Sequence, residues 1–216
     1  MYTTVIFDLD GTLLNTLDDL TDAVNHALAC FSLPLRTREE VRSFVGNGIV
    51  NLMKRASEGK CPDFEGMLSA FRTFYGAHCK HKTKPYAGVL ELLQTLKNRG
   101  VQTAVVSNKA DFAVKMLAKE YFSDLLCEAV GENEAEGVRK KPAPDSLLSV
   151  MEKLNASKEN TVYVGDSEVD IQTAKNAEVD CISVVWGFKE KEFLKANGGK
   201  IFVETPLDIL QFCGGR

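Results

Sequence analysis

The sequence contains no apolar run that approaches the ~18 residues of a membrane span, and it has no excess of basic residues. Its 26 Lys and Arg residues stand against 30 Asp and Glu residues, which gives a formal net charge of −4. A protein that follows a phosphate backbone normally carries a basic face, so we expect neither a nucleic-acid nor a membrane partner. The first residues also lack the basic region of a secretory signal. These absences favour a cytoplasmic protein.

The six cysteines are scattered and form no C-x-x-C pair, which excludes a disulfide scaffold for a chain of this length. Hydrophobic residues make up 44% of the chain and charged residues 26%. Both values lie close to globular averages, so wholesale disorder and a fibrous repeat are excluded as well. The length allows one large domain, or a core domain that carries a smaller insertion.

Short apolar runs rich in β-branched residues alternate with helical patterns along the chain. Continuous hydrophobicity is typical of strands buried on both faces, as in a parallel sheet. We therefore predict an α/β fold with a doubly wound parallel sheet. The predicted strands are residues 4–7, 103–106, 125–130, 161–164, 181–186 and 201–203.

Residues 15–82 interrupt this alternation because they carry only helical patterns. Thr16 and Thr37 are each followed three residues later by an acidic residue, which predicts a capping box at the start of two helices. Because the helical block lies between the first and second predicted strands, we interpret it as an inserted all-helical domain. The predicted division is an α/β core at 1–14 and 83–216, and a helical domain at 15–82.

Polar and acidic side chains follow the predicted strands, at the sheet edge where ligands bind in open α/β folds. Four carboxylates in one crevice would repel each other unless a cation joined them, and hard oxygen ligands favour Mg²⁺. Taken singly, each aspartate could equally be a turn former or a helix cap. The candidate residues are Asp8, Asp10, Ser107, Asn108, Lys141, Asp166 and Asp170, whereas Lys109, next to Asn108, could be a solvated surface charge.

In chain order, these residues resemble the four motifs of the haloacid dehalogenase superfamily. The first motif is Asp-Leu-Asp-Gly-Thr at 8–12, the second is Ser107, the third is Lys141 before a proline, and the fourth spans 165–170. The resemblance covers essentially the whole chain. The helical block at 15–82 resembles the C1 cap of that superfamily, so the resemblance implies the same Rossmann-like core and cap.

A narrower resemblance is to the phosphoglycolate phosphatases of that superfamily. It rests on the patterns at 42–48, 55–56, 86–89 and 107–109, although related phosphatases share much of them. The sequence departs from the common pattern at Asn15, where many relatives carry Asp at the cap hinge. It also carries Ser107 where many relatives carry Thr, which keeps the hydroxyl.

The superfamily resemblance implies a two-step phosphatase mechanism. Asp8 is the implied nucleophile, which attacks phosphorus to form an aspartyl-phosphate. Asp10 is the implied general acid for the leaving alkoxide and then the general base for water. The implied Mg²⁺ ligands are the Asp8 carboxylate, the Asp10 main-chain carbonyl and Asp166, while Asp170 supports them without binding the ion.

The same resemblance implies that Ser107 and the Asn108 backbone hold phosphoryl oxygens while Lys141 offsets their charge. A count of four carboxylates, one Mg²⁺ and Lys141 leaves one net negative charge. That count predicts a protonated Asp10 when a phosphate dianion binds. Arg42 and Arg55 in the helical block are candidates for binding a substrate carboxylate. A surface or interdomain ion pair is the open alternative for both.

The resemblance therefore predicts an enzyme. We expect a Mg²⁺-dependent phosphatase that acts on a small phosphorylated metabolite, and 2-phosphoglycolate is the favoured substrate. A sugar phosphomutase on the same scaffold is the first alternative, because a sugar hydroxyl can replace water as the acceptor. A phospho-accepting receiver module is the second alternative. Receiver modules gather similar residues on a doubly wound sheet, but they have no use for a helical block of this size.

Overall fold

The computed structural model describes residues 1–133 and 137–214 and is built around one central parallel sheet. Six strands hydrogen-bond in the order β5-β4-β1-β6-β7-β8, and β2 and β3 form a separate two-stranded ribbon. The predicted doubly wound α/β fold is confirmed. The strands are β1 (Thr4–Phe7), β2 (Leu14–Asn15), β3 (Lys84–Pro85), β4 (Gln102–Ala110), β5 (Glu128–Glu132), β6 (Thr161–Gly165), β7 (Asp180–Val184) and β8 (Ile201–Val203).

The central strand β1 explains why the predicted strands are continuously hydrophobic. It pairs with β4 on one side and β6 on the other. Val5 and Phe7 face one hydrophobic core, whereas Ile6 faces the second, and all three are fully buried. Alternate residues of a strand point to opposite faces, so a sheet covered on both faces leaves no solvent-exposed face for a regular alternation of polar residues.

Helices α1 to α4 lie between β2 and β3 in the chain, and the remaining helices alternate with the strands of the large sheet. Within the residues described, no helix is both long and apolar enough to span a bilayer. The helices are α1 (Leu17–Cys30), α2 (Arg38–Phe44), α3 (Gly48–Ala56), α4 (Phe64–His78), α5 (Val89–Asn98), α6 (Asp111–Tyr121), α7 (Asp145–Lys153), α8 (Glu168–Ala177) and α9 (Lys191–Ala196).

The β2–β3 ribbon lies where the chain enters and leaves the helical block. Leu14 pairs with Pro85 and Asn15 with Lys84, in antiparallel register. Asn15 also accepts a hydrogen bond from the backbone N–H of Leu17 at 3.4 Å, at the start of α1. Both predicted boundaries, at 15 and 82, fall beside this ribbon, and the division into two domains stays a prediction.

One of the two predicted capping boxes is present, at the start of α2. The Thr37 hydroxyl accepts the Glu40 backbone N–H at 3.2 Å, and the Glu40 carboxylate accepts the Thr37 N–H at 2.7 Å. The predicted strand at 125–130 starts late, at Glu128, because Ser123–Leu125 form one turn of 3-10 helix.

The capping box predicted at Thr16 is wrong, because Asp19 has other partners. The Thr16 side chain makes no capping hydrogen bond. The buried Asp19 carboxylate instead accepts the backbone N–H groups of Lys82 at 3.0 Å and Thr83 at 2.9 Å. These bonds join the first turn of α1 to the segment that leaves the helical block, a connection between residues far apart in sequence.

Replacing Asp19 should therefore destabilise the fold much more than replacing its neighbour Asp22. Asp19→Ala leaves two backbone donors without acceptors, and we expect a loss of about 2–3 kcal/mol in the free energy of unfolding. Asp22 makes only an exposed ion pair with Lys82, so Asp22→Ala should cost at most about 1 kcal/mol. Urea denaturation of both variants measures the difference, and equal losses would contradict the structural role of Asp19.

Candidate active site

A bulge near the carboxyl end of β4 places Ser107, Asn108 and Lys109. Pairing with β5 is regular up to Val106 and resumes at Ala110, with a shift in register between them. Bulges of this kind redirect side chains beside binding sites. All three residues are buried and line one cavity. The strand predicted to end at Val106 thus continues through the bulge to Ala110.

Three buried carboxylates converge at the same edge of the sheet. Oxygens of Asp8, Asp166 and Asp170 all lie within 4.8 Å of one another. Asp8 follows β1, Asp166 follows β6, and Asp170 lies in the first turn of α8. They meet because the carboxyl ends of parallel strands share one edge. The structure thus brings together three of the four predicted acidic residues, and Asp10 lines the same cavity.

Lys141 lies against this carboxylate group. Its Nζ donates to Asp170 Oδ1 at 2.7 Å and to the Tyr163 hydroxyl at 3.0 Å, and it lies 2.9 Å from Asp8 Oδ1. The Tyr163 hydroxyl in turn donates to the backbone carbonyl of Val106 at 2.7 Å. Burial alone would lower the pKa of Lys141, but the charges of Asp170 and Asp8 raise it well above its usual value. Lys141 therefore carries a fixed positive charge.

The Asn108 side chain positions the loop that carries Lys141. Its amide donates to the carbonyls of Lys141 at 3.0 Å and Gly46 at 3.3 Å, and its oxygen accepts the Lys141 N–H at 2.8 Å. Both amide hydrogens are used, so the predicted phosphate contact of Asn108 falls to its backbone. The Ser107 hydroxyl hydrogen has no acceptor in the described part of the chain, which leaves it free to bind a ligand oxygen.

A second buried lysine holds Asp10. Lys109 Nζ lies 2.9 and 3.0 Å from the two carboxylate oxygens of Asp10, and 4.6 Å from the centre of the Tyr75 ring. Burial lowers the pKa of Lys109, but the charge and hydrogen bonds of Asp10, together with the nearby Tyr75, raise it by more, so the net shift is upward. The charge count made from the sequence, which predicts a protonated Asp10, does not include Lys109. When Lys109 is included, four carboxylates, two lysines and a divalent cation balance without that proton.

The carboxylates have the free oxygens that a cation needs. Asp8 Oδ1 is buried without a hydrogen bond, although Lys141 is near. Asp166 accepts one hydrogen bond, from the Phe188 N–H at 2.6 Å. Both oxygens of Asp170 are used, by Lys141 and by the Ser167 N–H and hydroxyl. Asp8 and Asp166 thus suit a hard divalent cation as ligands. Asp170, whose oxygens are both used, suits the role of holding Lys141 and Ser167 in place.

Burial raises the pKa of two of these carboxyl groups. The pKa of Asp8 rises from 3.8 to about 6, mainly through burial, with Lys141 opposing the shift and Asp170 adding to it. The pKa of Asp166 is raised well above its usual value by burial and by the charge of Asp170. Holding these groups ionised without a cation is therefore costly.

Two glycines allow the backbone to approach Asp166 closely. A Cβ at Gly11 would lie 2.3 Å from Asp166 Oδ2, and Gly11 also has a φ of +84°, which favours glycine. A Cβ at Gly187 would lie 2.3 Å from the Asp166 Cβ. The glycine of the 8–12 motif is thus explained by the space that the Asp166 carboxylate occupies.

The predicted substrate contacts Arg42 and Arg55 are not brought to the cavity wall. Arg42 donates to the Gly187 carbonyl at 3.1 Å and to Glu190 at 3.2 Å. These contacts join α2 to the segment after β7, as the ion-pair alternative predicts. Arg55 donates to the Phe44 carbonyl at 2.9 Å, within the helical block.

The cavity itself is small and has two different walls. Its volume is about 60 Å³, enough for on the order of five water-sized groups. One wall carries the strand-end charges described above. The opposite wall comes from the helical block and is mostly apolar, formed by Leu20, Val45, Ile49, Leu52, Phe71 and Tyr75. A cavity of this size admits a small substrate.

Comparison with known proteins decides the family. The sequence profile of the haloacid dehalogenase-like hydrolases matches residues 5–184. The chain belongs to this family. As a hydrolase it is an enzyme, which favours the first prediction over the receiver-module alternative.

Relatives of this hydrolase fall among phosphatases. It is 32% identical over 214 residues to phosphoglycolate phosphatase 1 of Pseudomonas aeruginosa, covering 95% of this chain and 78% of that one. It is 31% identical over 211 residues to pyrophosphatase PpaX of Bacillus mycoides, covering 96% and 94%. A solved structure described as a predicted phosphoglycolate phosphatase of Haemophilus somnus superposes with a TM-score of 0.90 at 28% identity, covering 98% and 97%.

Three residues in or beside the cavity of this hydrolase have no role that the sequence predicts: Lys109, Tyr163 and Arg72. The position of Lys109 directly after two predicted phosphate ligands could have indicated a functional residue. A lysine at that position is equally consistent with a solvated surface charge. Tyr163 lies within a buried strand, where an aromatic residue indicates core packing. Arg72 lines the cavity from α4, yet a single arginine on a helix carries no signal in the sequence.

Removing one carboxylate should stabilise the metal-free hydrolase and abolish its response to a cation. Asp166→Asn keeps an acceptor for the Phe188 N–H but removes a buried charge, so we expect the metal-free Tm to rise by on the order of 2–4 °C at neutral pH. Added Mg²⁺ or Mn²⁺ should raise the Tm of the wild type but not that of the variant. Thermal melts with and without the ion measure both effects.

The matched control is Asp124→Asn, which removes an exposed carboxylate paired with Lys97 outside the cavity. Added Mg²⁺ or Mn²⁺ should raise the Tm of this variant as much as that of the wild type. A metal response retained in Asp166→Asn would show that this carboxylate does not help to hold the cation.

The stability of the metal-free wild type should fall as pH rises from about 4 to about 6. Because the folded-state pKa of Asp8 is about 6 and its usual value is 3.8, the folded protein binds more protons than the unfolded chain in this range. The increase in Tm on adding a divalent cation should therefore be larger near pH 7.5 than near pH 5, by several degrees. An increase that is independent of pH would contradict the raised pKa.

Proposed function

We propose that this hydrolase is a Mg²⁺-dependent phosphatase that cleaves a small phosphomonoester through an aspartyl-phosphate on Asp8, with 2-phosphoglycolate the favoured substrate. The observation that carries the proposal is the Asp8 carboxylate, which lines the cavity with one oxygen, Oδ1, ion-paired to Lys141 at 2.9 Å. Among the described residues its other oxygen has no partner, so that oxygen is placed to attack a phosphoryl group whose charge Lys141 offsets. The names of the phosphoglycolate phosphatase relatives support the choice of substrate.

In the first step, an Asp8 oxygen forms a bond to phosphorus while the bond to the ester oxygen breaks. Asp10 acts as the acid in this step: it takes up a proton when the negatively charged ester binds, keeps Lys109 on its other oxygen, and gives that proton to the leaving alkoxide. Lys141 and the Ser107 hydroxyl stabilise the phosphoryl oxygens as their charge develops. Lys109, bound to both Asp10 oxygens, keeps that carboxylate at the cavity wall.

In the second step, water attacks phosphorus as Asp10 takes its proton, and the bond to Asp8 breaks to release inorganic phosphate. A bound Mg²⁺, held by Asp8, Asp166 and the Asp10 main-chain carbonyl, would offset the charge of the phosphoryl group and its carboxylate neighbours. Asp170 contributes by fixing Lys141 and Ser167. The alternative of a sugar phosphomutase differs only in the second step, where a sugar hydroxyl replaces water.

We further propose that residues 15–82 form a cap domain over this site. The β2–β3 ribbon supports the proposal because both connections to the core pass through it. Apolar side chains of the helical block cover the cavity, which would exclude bulk water and strengthen the electrostatic interactions inside. The small volume favours a compact leaving group such as glycolate over a sugar.

Asp8→Asn should abolish turnover while leaving the fold intact. We expect phosphate release from 2-phosphoglycolate in the presence of Mg²⁺ to fall by at least about 10³-fold, because the amide cannot act as the nucleophile. Omitting Mg²⁺ from the wild-type assay should have a comparably large effect. A panel of phosphorylated metabolites and inorganic pyrophosphate, assayed by phosphate release, measures both.

Asp22→Asn is the matched control, an exposed carboxylate outside the cavity, and it should keep wild-type activity. Full activity of Asp8→Asn would overturn the nucleophile assignment. Transfer of labelled phosphate between positions of a sugar, without release of inorganic phosphate, would replace the hydrolase mechanism with the mutase one. Preferential cleavage of pyrophosphate would move the substrate towards that of the PpaX relative.

A further inference from the structure

Four cationic side chains line the cavity, and three of them are already engaged. Lys109 binds Asp10, and Lys141 binds the carboxylate group of Asp8 and Asp170. Lys189 donates to the Ser43 carbonyl at 3.3 Å and lies over the Phe193 ring. Arg72 makes no hydrogen bond or ion pair with any residue in 1–133 or 137–214. Arg72 and Lys189 are therefore the two lining cations that no described acidic residue neutralises, and Arg72 is the one with no hydrogen bond to the described chain.

Arg72 lies on the cap side of the cavity, one turn before a second unsatisfied group. Tyr75 follows it by three residues on α4, a spacing that places two side chains on neighbouring positions of one helix face. Tyr75 also lines the cavity, and its buried hydroxyl has no hydrogen-bond partner in the described chain. A buried hydroxyl without a partner is costly, so a polar ligand would supply what Tyr75 lacks. Arg72 is exposed, and its guanidinium is open to the same ligand.

The charges of the cavity indicate what that ligand is. A phosphoryl group must lie at Asp8 and Lys141 for the proposed reaction, and the neighbouring carboxylates repel any second anion there. Beyond that end the cavity wall is mostly apolar, with Arg72, Tyr75 and Lys189 as its polar side chains. A guanidinium pairs with a carboxylate through two parallel hydrogen bonds, and a phenol hydroxyl donates to the same kind of group.

We propose that Arg72 determines substrate specificity by binding a carboxylate on the leaving group, with the Tyr75 hydroxyl as a second donor. The inference rests on the proposed phosphatase function and deepens it. The substrate class is then the phosphate ester of a short hydroxy acid, in which one or two carbons separate the ester oxygen from the carboxylate. Arg72 takes the role that the sequence suggested for Arg42 and Arg55.

A pair of matched esters tests this role. 2-Phosphoglycolate carries the carboxylate, and 2-hydroxyethyl phosphate is a neutral-tailed ester of nearly the same size. Arg72→Gln should lower kcat/KM for 2-phosphoglycolate by about 10–100-fold, mainly through KM, and change that for the neutral ester by no more than about threefold. Arg72→Lys should recover part of the loss, and Tyr75→Phe should lose about 3–10-fold on the carboxylate ester alone.

Two further variants sharpen the test. Arg72→Glu should reverse the preference towards 2-aminoethyl phosphate, whose ammonium replaces the carboxylate. Arg38→Gln is the matched control, an exposed arginine of α2 that pairs with Asp18 outside the cavity, and it should match the wild type on all three esters. Titration of 2-phosphoglycolate into the inactive Asp8→Asn protein, with and without Arg72→Gln, should show the same loss as a weaker Kd.

The outcomes separate the inference from the function on which it rests. A wild type that prefers 2-phosphoglycolate, together with an Arg72→Gln variant that keeps this preference, would overturn the inference and leave the phosphatase proposal standing. A loss in Arg72→Gln confined to pyrophosphate would overturn the carboxylate assignment. A wild type inactive towards both esters would overturn the proposed function and the inference with it.

Discussion

Repulsion among buried carboxylates is the constraint on which the site depends. Four aspartates line or adjoin one small cavity, where burial raises the pKa of Asp8 and Asp166. Two buried lysines offset part of this charge, each bound to a different part of the group: Lys141 to the Asp8 side and Lys109 to Asp10. The remaining imbalance is what a divalent cation would remove. The rest of the local structure holds these charges in place, and the nearby capping box at Ser167 uses a carboxylate of the cluster itself.

The segment after β7 links this charge network to the helical block. Its Phe188 N–H binds Asp166, and its Gly187 carbonyl accepts a hydrogen bond from Arg42 on α2. The two contacts hold one peptide group, the one between Gly187 and Phe188, by its carbonyl and by its N–H, so this group cannot shift towards either side without losing a hydrogen bond. A displacement of α2 would therefore shift this peptide group and change its hydrogen bond to Asp166. In this arrangement, Arg42 is connected to the site through the backbone of the core.

The parts of the site that lie directly after strands could be predicted from the sequence, because a parallel sheet brings its carboxyl ends to one edge whatever the loops do. Asp8 and Asp166 meet for this reason, whereas Lys141 lies in the loop after β5 and is held at the site by Asn108. The roles of Asp19 and Lys109 could not be predicted. Asp19 binds backbone groups 63 and 64 residues away, and Lys109 binds Asp10 across 99 residues. The local sequence around Asp19 favours a different role, because a Thr-x-x-Asp pattern predicts a capping box. In the structure, distant backbone N–H groups bind the carboxylate instead.

Tyr75 shows how the helical block takes part in the chemistry without carrying any of the catalytic motifs. Its ring lies against Lys109, the cation that holds Asp10. A lysine is strongly hydrated in water, so in this dry position it needs both the Asp10 charge and the face of an aromatic ring to replace its solvation. If α4 were displaced, water would reach Lys109 and weaken its hold on Asp10. The same helix that forms part of the apolar wall thus also contributes to the surroundings of Lys109, and through it to those of Asp10.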